Sequence, residues 1–143
     1  MSMRILQPAE WARPKGYANG ISARGRLIFV SGQIGWNGQC EFASDVLSEQ
    51  VGQTLRNIVR ILQEDHAQPQ HLVRLTWYVR SREAYYAEAR EIGAAYREVL
   101  GRHFPVMSVV EVSALLESRA LVEIEATAVV PEDEDGRGSL APA

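Results

Sequence analysis

The segment from Ala120 to Val130 restricts the possible folds of this chain more than any other. It alternates as a strand does. Val122, Ile124, Ala126, Ala128 and Val130 fall on one face, and Leu121, Glu123, Glu125, Thr127 and Val129 on the other. The first face is wholly apolar and needs a core. The second mixes carboxylates with apolar side chains, and that surface suits bulk water poorly. The stretch from Val106 to Leu115 reads as a second strand, with Val106, Val110 and Val112 opposing Met107, Val109 and Glu111. A short turn near Glu117-Ser118 joins the two, which places Glu111 on the neighbouring strand and lets it share the Glu123 face.

Two amphipathic helices are available to cover this sheet. The first is capped by Ser44 or Asp45 and runs to about Asp65, with Leu47, Val51, Leu55, Ile58 and Leu62 on one stripe. The second runs from about Arg82 to Leu100 through Tyr85, Ala89, Ile92 and Tyr96, and Gly101 follows as its stop. A third strand, His71 to Arg80, places Val73, Leu75, Trp77 and Val79 opposite Arg74, Thr76 and Tyr78. The turn signal Arg24-Gly25 suggests a hairpin between Tyr17–Ala23 and Arg26–Ser31. The order ββαβαββ predicts an α+β fold, with one mixed sheet and both helices on one face. Two helices cover only one face of such a sheet, so the half-apolar second face predicts homo-oligomerisation.

Composition bounds the function classes. The chain has 143 residues, of which 46% are hydrophobic and 23% charged, which fits one globular domain over 1–130 rather than a disordered chain. From Pro131 the sequence PEDEDGRGSLAPA is acidic and rich in Gly and Pro, which predicts a disordered tail over 131–143. A formal net charge of −3 supplies no field to attract a phosphate backbone, so no nucleic-acid partner is expected. No apolar run reaches the roughly 20 residues that span a bilayer, and the first eight residues lack a signal-peptide core, so a soluble cytoplasmic protein is expected. The single Cys40 has no disulfide partner, and His66, His71 and His103 show no metal-ligand spacing, so no metal is expected.

Three groups of residues are candidates for chemistry. Glu123 and Glu125 share a strand face, with carboxyls roughly 6–7 Å apart. Carboxylates in a partly desolvated cleft can shuttle protons near neutrality, and equally they can be solvated edge charges or arginine partners. The run Phe29-Val30-Ser31-Gly32-Gln33-Ile34-Gly35-Trp36 leads a strand into two glycines, where a backbone can approach a ligand or simply leave the sheet. It is neither a P-loop nor a dinucleotide fingerprint nor a serine-hydrolase elbow. Tyr17, Trp36, Trp77 and Tyr78 can line an apolar pocket or fill the core.

Taken in order, several motifs together resemble the Rid family, the YjgF-type reactive-intermediate deaminases. They are Tyr17-x-x-Gly20, Ile28 to Gly35, Gln50 and Asn57, Leu75 to Val79, His103-Phe104-Pro105 and Val122 to Val130. The resemblance covers roughly Tyr17 to Val130. It implies a chorismate-mutase-like fold in a homotrimer, with sites in clefts between subunits that bind a small enamine, imine or carboxylate ligand. It implies hydrolysis of enamines and imines to a carbonyl compound and ammonia, without metal or organic cofactor. Position by position, Tyr17, Ser31 and Glu123 correspond to site-lining residues, with Glu123 positioning or deprotonating water. Backbone groups near Gly32 and Val109 would contact the substrate, and Trp36 lies close by.

One departure stands out. The deaminating subgroup has Pro-Ala-Arg-Ser where this chain has Pro105-Val106-Met107-Ser108, and that arginine grips the substrate carboxylate. A thioether cannot replace a bidentate guanidinium, and losing such a partner typically costs about 2–5 kcal/mol. Arg24, Arg74 and Arg102 are candidate substitutes, or else Met107 and Trp77 line a pocket for a less acidic ligand. The readings carried forward are a deaminase of altered substrate preference and a non-catalytic trimeric binding protein. The ribonuclease role attached to some family members has little support in this sequence.

Overall fold

A computed structural model describes residues 3–132, so the predicted tail lies, from residue 133 onward, outside the described residues. The predicted α+β class holds, with a mixed sheet carrying its helices on one face. Ten elements follow in order: β1 (Met3–Leu6), β2 (Gly20–Ala23), β3 (Arg26–Ile34), α1 (Leu47–Gln63), a 3₁₀ turn (Pro69–His71), β4 (Leu72–Val79), α2 (Arg82–Ala87), α3 (Ala89–Leu100), β5 (Val106–Glu111) and β6 (Val122–Val130). The main sheet has the order β3-β6-β4-β5, and β1 and β2 form a separate two-stranded ribbon. β6 is antiparallel to both β3 and β4, whereas β4 and β5 are parallel.

Alternation along β6 sorts the two faces as its sequence requires. Val122, Ile124, Ala126, Ala128 and Val130 are buried and meet the α1 stripe Leu47, Val51, Leu55, Ile58 and Leu62. Burial of each large α1 side chain contributes about 1.5–3 kcal/mol. That sum far outweighs the ~1 kcal/mol that a side-chain N-cap supplies, and α1 begins without one. Its N-cap position is Val46, not the predicted Ser44 or Asp45. Ser44 Oγ accepts from Val46 N instead, and Asp45 pairs with Arg119.

The helix predicted over Arg82 to Leu100 is divided at Glu88, which has φ −103° and ψ 18°. No Pro or Gly marks the break. Glu88 Oε1 accepts from Ser48 N at 3.0 Å, so this residue leaves helical geometry where its carboxylate serves an orphan donor in the first turn of α1.

Two pairings differ from expectation. The β2–β3 hairpin does not form, because β2 pairs with β1 and β3 runs along β6 from Arg26 opposite Val130. Gly25 makes this switch possible. Its φ is +150°, and a Cβ there would lie 2.1 Å from Val130 O, so only glycine lets the chain pass so close to β6. Nor do β5 and β6 lie side by side: β4 separates them, and Glu111 is not on a strand neighbouring Glu123. Glu111 instead accepts from Arg82 N at 2.8 Å, at the start of α2.

Candidate functional site

The bulge in β3 between Val30 and Gln33 is where the most distinctive local geometry occurs. Ser31 and Gly32 occupy it, and Glu123 of β6 lies directly against Gly32. A Cβ on Gly32 would fall 2.1 Å from Glu123 Oε2, 2.7 Å from Cδ and 2.9 Å from Cγ. The glycine is therefore the seat of the carboxylate. Glu123 is half-buried on the sheet face away from the helices.

Past the bulge, the chain is held by the residues of the Gln50–Asn57 motif. Asn57 Nδ2 donates to Ile34 O at 3.1 Å and to Trp36 O at 2.8 Å. Gln50 is fully buried. Its Nε2 donates to Ser44 O and Arg119 O, and its Oε1 accepts from Leu121 N. These two side chains fix the loop that carries Trp36, whose ring meets Phe42 at a centroid distance of 5.7 Å.

The rest of this sheet face is polar in one row and apolar in another. Tyr78 is registered opposite Glu123 and donates its hydroxyl to Glu125 Oε1 at 2.6 Å. That bond, then burial, then the charges of Glu125 and Glu123 raise the phenol above its ordinary pKa. Near them Phe29 is 73% exposed, with Leu27 at 57% and Val110 at 44%. Large apolar side chains so exposed on one face form a surface that water disfavours.

The other predicted residues lie across the sheet. Met107 is registered with Leu75 and packs against the core on the helix side, so it does not share the face of Glu123. Val109 is registered with Trp77 on the same strand. Tyr17 sits beyond the outer edge of β5, where Ala18 N donates to Pro105 O at 3.1 Å and Ala18 bridges Val106. β3 and β5 are three strand spacings apart, about 14 Å. Within one chain the candidates thus form two groups: Ser31, Gly32, Trp36 and Glu123 near one edge, and Tyr17, Met107 and Val109 near the other.

Trp77 is a correction. It is 3% exposed and packs among Tyr85 and Tyr96 on the helix side, so it cannot offer apolar contact to a ligand on the open face. Its place was legible, since it alternates with Leu75 and Val79. Two features escaped sequence reasoning: the Tyr78–Glu125 bond and a cleft uniting Tyr17 with Arg13 and Arg102. Tyr78 and Glu125 are 47 residues apart, and Arg102 is remote in sequence from Arg13 and Tyr17, so no local spacing brings them together. Among the described residues, no group of three His, Cys, Asp or Glu side chains is placed to hold a metal ion.

A mixed sheet with helices on one face and an open face bearing a glycine-seated carboxylate has close structural relatives. The conserved Rid family protein YyfB from Yersinia pestis superposes with a TM-score of 0.77 at 32% identity, over 90% of this chain and 99% of that one. A member of the YjgF/YER057c/UK114 family from Mycobacterium tuberculosis gives 0.60 at 33% identity, over 80% and 87%. In sequence, a RutC family protein from Synechocystis is 30% identical over 138 residues, 92% of this chain and 99% of its own length. Residues 10–130 match the Endoribonuclease L-PSP family. The chain belongs to that family, the YjgF or Rid family of the sequence resemblance.

Proposed function

We propose that this protein hydrolyses a reactive enamine or imine to a carbonyl compound and ammonia. The reaction takes place in clefts between the protomers of a homotrimer. The observation that carries this reading is the Glu123 carboxylate seated on Gly32, facing away from the core beside an exposed apolar surface. A partner protomer on that surface would exclude water and bring the β5 edge of one chain to the β3 edge of the next. This would unite the two groups of candidates that one chain keeps about 14 Å apart.

In the cleft, an enamine first tautomerises to its imine, and Glu123 accepts a proton from water as the oxygen attacks the C=N carbon of the protonated imine, giving a neutral carbinolamine. Glu123 returns that proton to nitrogen, the C–N bond breaks as ammonia departs, and the hydroxyl proton passes to the Glu123 carboxylate as C=O forms. Tyr17 and Ser31 line the site, backbone groups near Gly32 and Val109 contact the substrate, and Met107 alters its preference. The test is hydrolysis of imines generated by an amino-acid oxidase and trapped with semicarbazide. Glu123→Gln should lose at least about 100-fold in rate, in the range of general-base removal. Unchanged hydrolysis in that variant would refute the role.

Met107 favours a second reading. Its side chain packs on the core and brings no cation to the position where the deaminating subgroup has its arginine. A trimeric small-molecule binding protein using the same cleft would then show ligands that raise Tm without being turned over. The ribonuclease reading that the family's description suggests has less support. His71 is buried with its Nδ1 accepting from Gln68 N, so it is committed to the fold, and His103 uses its Nε2 on Leu72 O.

A further inference from the structure

A second cleft, of about 650 Å³, lies outside the Glu123 region, between the β1–β2 ribbon and the segment that enters β5. One wall is apolar, formed by Ile5 and Ile21, which pair across the ribbon, and by Phe104 opposite them. The Phe104 ring stacks on Tyr96 at 5.3 Å, and Tyr96 in turn donates to His103 O at 2.6 Å. Phe104 is therefore anchored in the core, whereas Ile5 is 65% exposed.

The polar lining is basic. Arg13 and Arg102 both border the cleft, and no Asp or Glu does, in a chain of formal net charge −3. Among the described residues, neither guanidinium has an ion-pair or hydrogen-bond partner, whereas Arg26, Arg60 and Arg119 are paired with carboxylates. His103 also borders the cleft. Its Nε2 lies 2.7 Å from Leu72 O, which can only accept, so Nε2 donates and Nδ1 remains available. Tyr17 completes the rim, held beside Pro105 by its neighbour Ala18.

Two unpaired guanidinium groups beside an apolar wall select an anion with an apolar body. Inorganic phosphate would satisfy the cations but leave the wall unused, whereas an organic acid satisfies both. We propose that this cleft binds the carboxylate of a small organic acid with an apolar side chain, Arg102 and Arg13 supplying the cation that Met107 does not. The assignment rests on the deaminase reading for its ligand class: 2-oxo acids are the stable products of 2-imino acid hydrolysis.

The test is calorimetric titration of 4-methyl-2-oxopentanoate into the full-length protein, beside pyruvate and inorganic phosphate. Wild type should bind the branched acid more tightly than pyruvate. Arg102→Gln should weaken it about tenfold or more, and the Arg13→Gln/Arg102→Gln double variant further still. Arg102→Lys, which keeps the charge without the fork, should fall between. Both arginines are exposed, so the Tm of each variant should match wild type and separate lost binding from lost folding.

Binding that is lost in the arginine variants while wild type hydrolyses no imine would uphold the site and overturn the deaminase reading. Turnover with KM unchanged in the double variant would do the reverse. Absence of carboxylate binding by wild type, or binding of phosphate alone, would overturn the proposal.

Discussion

Gly32 and Glu123 are paired by sterics before any chemistry is invoked. A methyl group at residue 32 would occupy the space of the Glu123 carboxyl, and that side chain, being flexible, would rotate away rather than unfold the sheet. Gly32→Ala should therefore lower kcat for imine hydrolysis at least about tenfold, while thermal melting shows little change. A large drop in Tm would mean that the glycine serves the bulge and not the carboxylate. Gln50 behaves in the opposite way. It is buried and satisfies three backbone groups, so Gln50→Ala leaves orphans at Ser44, Arg119 and Leu121. A destabilisation of roughly 3 kcal/mol in urea unfolding is expected, since each buried unsatisfied group costs about 1–3 kcal/mol. The Rid-like motif thus contains two kinds of residue: some, such as Gln50, hold the loops, and others, such as Glu123, Ser31 and Tyr17, are proposed to face substrate.

Among the elements, α1, α3, β4 and β6 were legible because each carries a long, regular apolar period that burial enforces. The pairing of β1 with β2 was not, since Met3–Leu6 and Gly20–Ala23 are four residues each and choose partners by tertiary contact. The break at Glu88 was silent for a similar reason, as its cause is a hydrogen bond to Ser48 on another helix. Strand order mattered most for the site. A short turn between β5 and β6 suggested neighbours, yet β4 lies between them, and the candidates fall on opposite edges. At α3, burial pushes the Tyr96 phenol well above its ordinary value of 10.0, so folding holds it neutral. The unfolded chain releases that proton first as pH rises past 10. Stability is therefore full below pH 10 and declines above it, by up to about 1.4 kcal/mol per pH unit for this group. Urea midpoints at pH 8 and pH 11 should differ less for Tyr96→Phe than for wild type. An equal difference would remove Tyr96 as a cause.

For the whole molecule, the open sheet face is the feature that one chain leaves unresolved. Leu27, Phe29 and Val110 expose an apolar surface on the same sheet face as Glu123, and the homotrimer reading places a second protomer there. Sedimentation equilibrium should give three times the 15.9 kDa chain mass. Phe29→Glu should shift it toward one chain by placing an unpaired charge in the interface. Because the candidate groups sit on opposite edges, the same variant should lose imine hydrolysis even though Glu123 is intact. A monomeric wild type that hydrolyses imines would contradict the shared cleft. The most direct measurement is semicarbazide-trapped hydrolysis of oxidase-generated imines, small and branched, by wild type beside Glu123→Gln. Turnover of at least one imine by wild type and its near-complete loss in the variant is the predicted result. Equal rates in the two proteins, or no turnover of any imine by either, would contradict a Glu123-dependent deaminase.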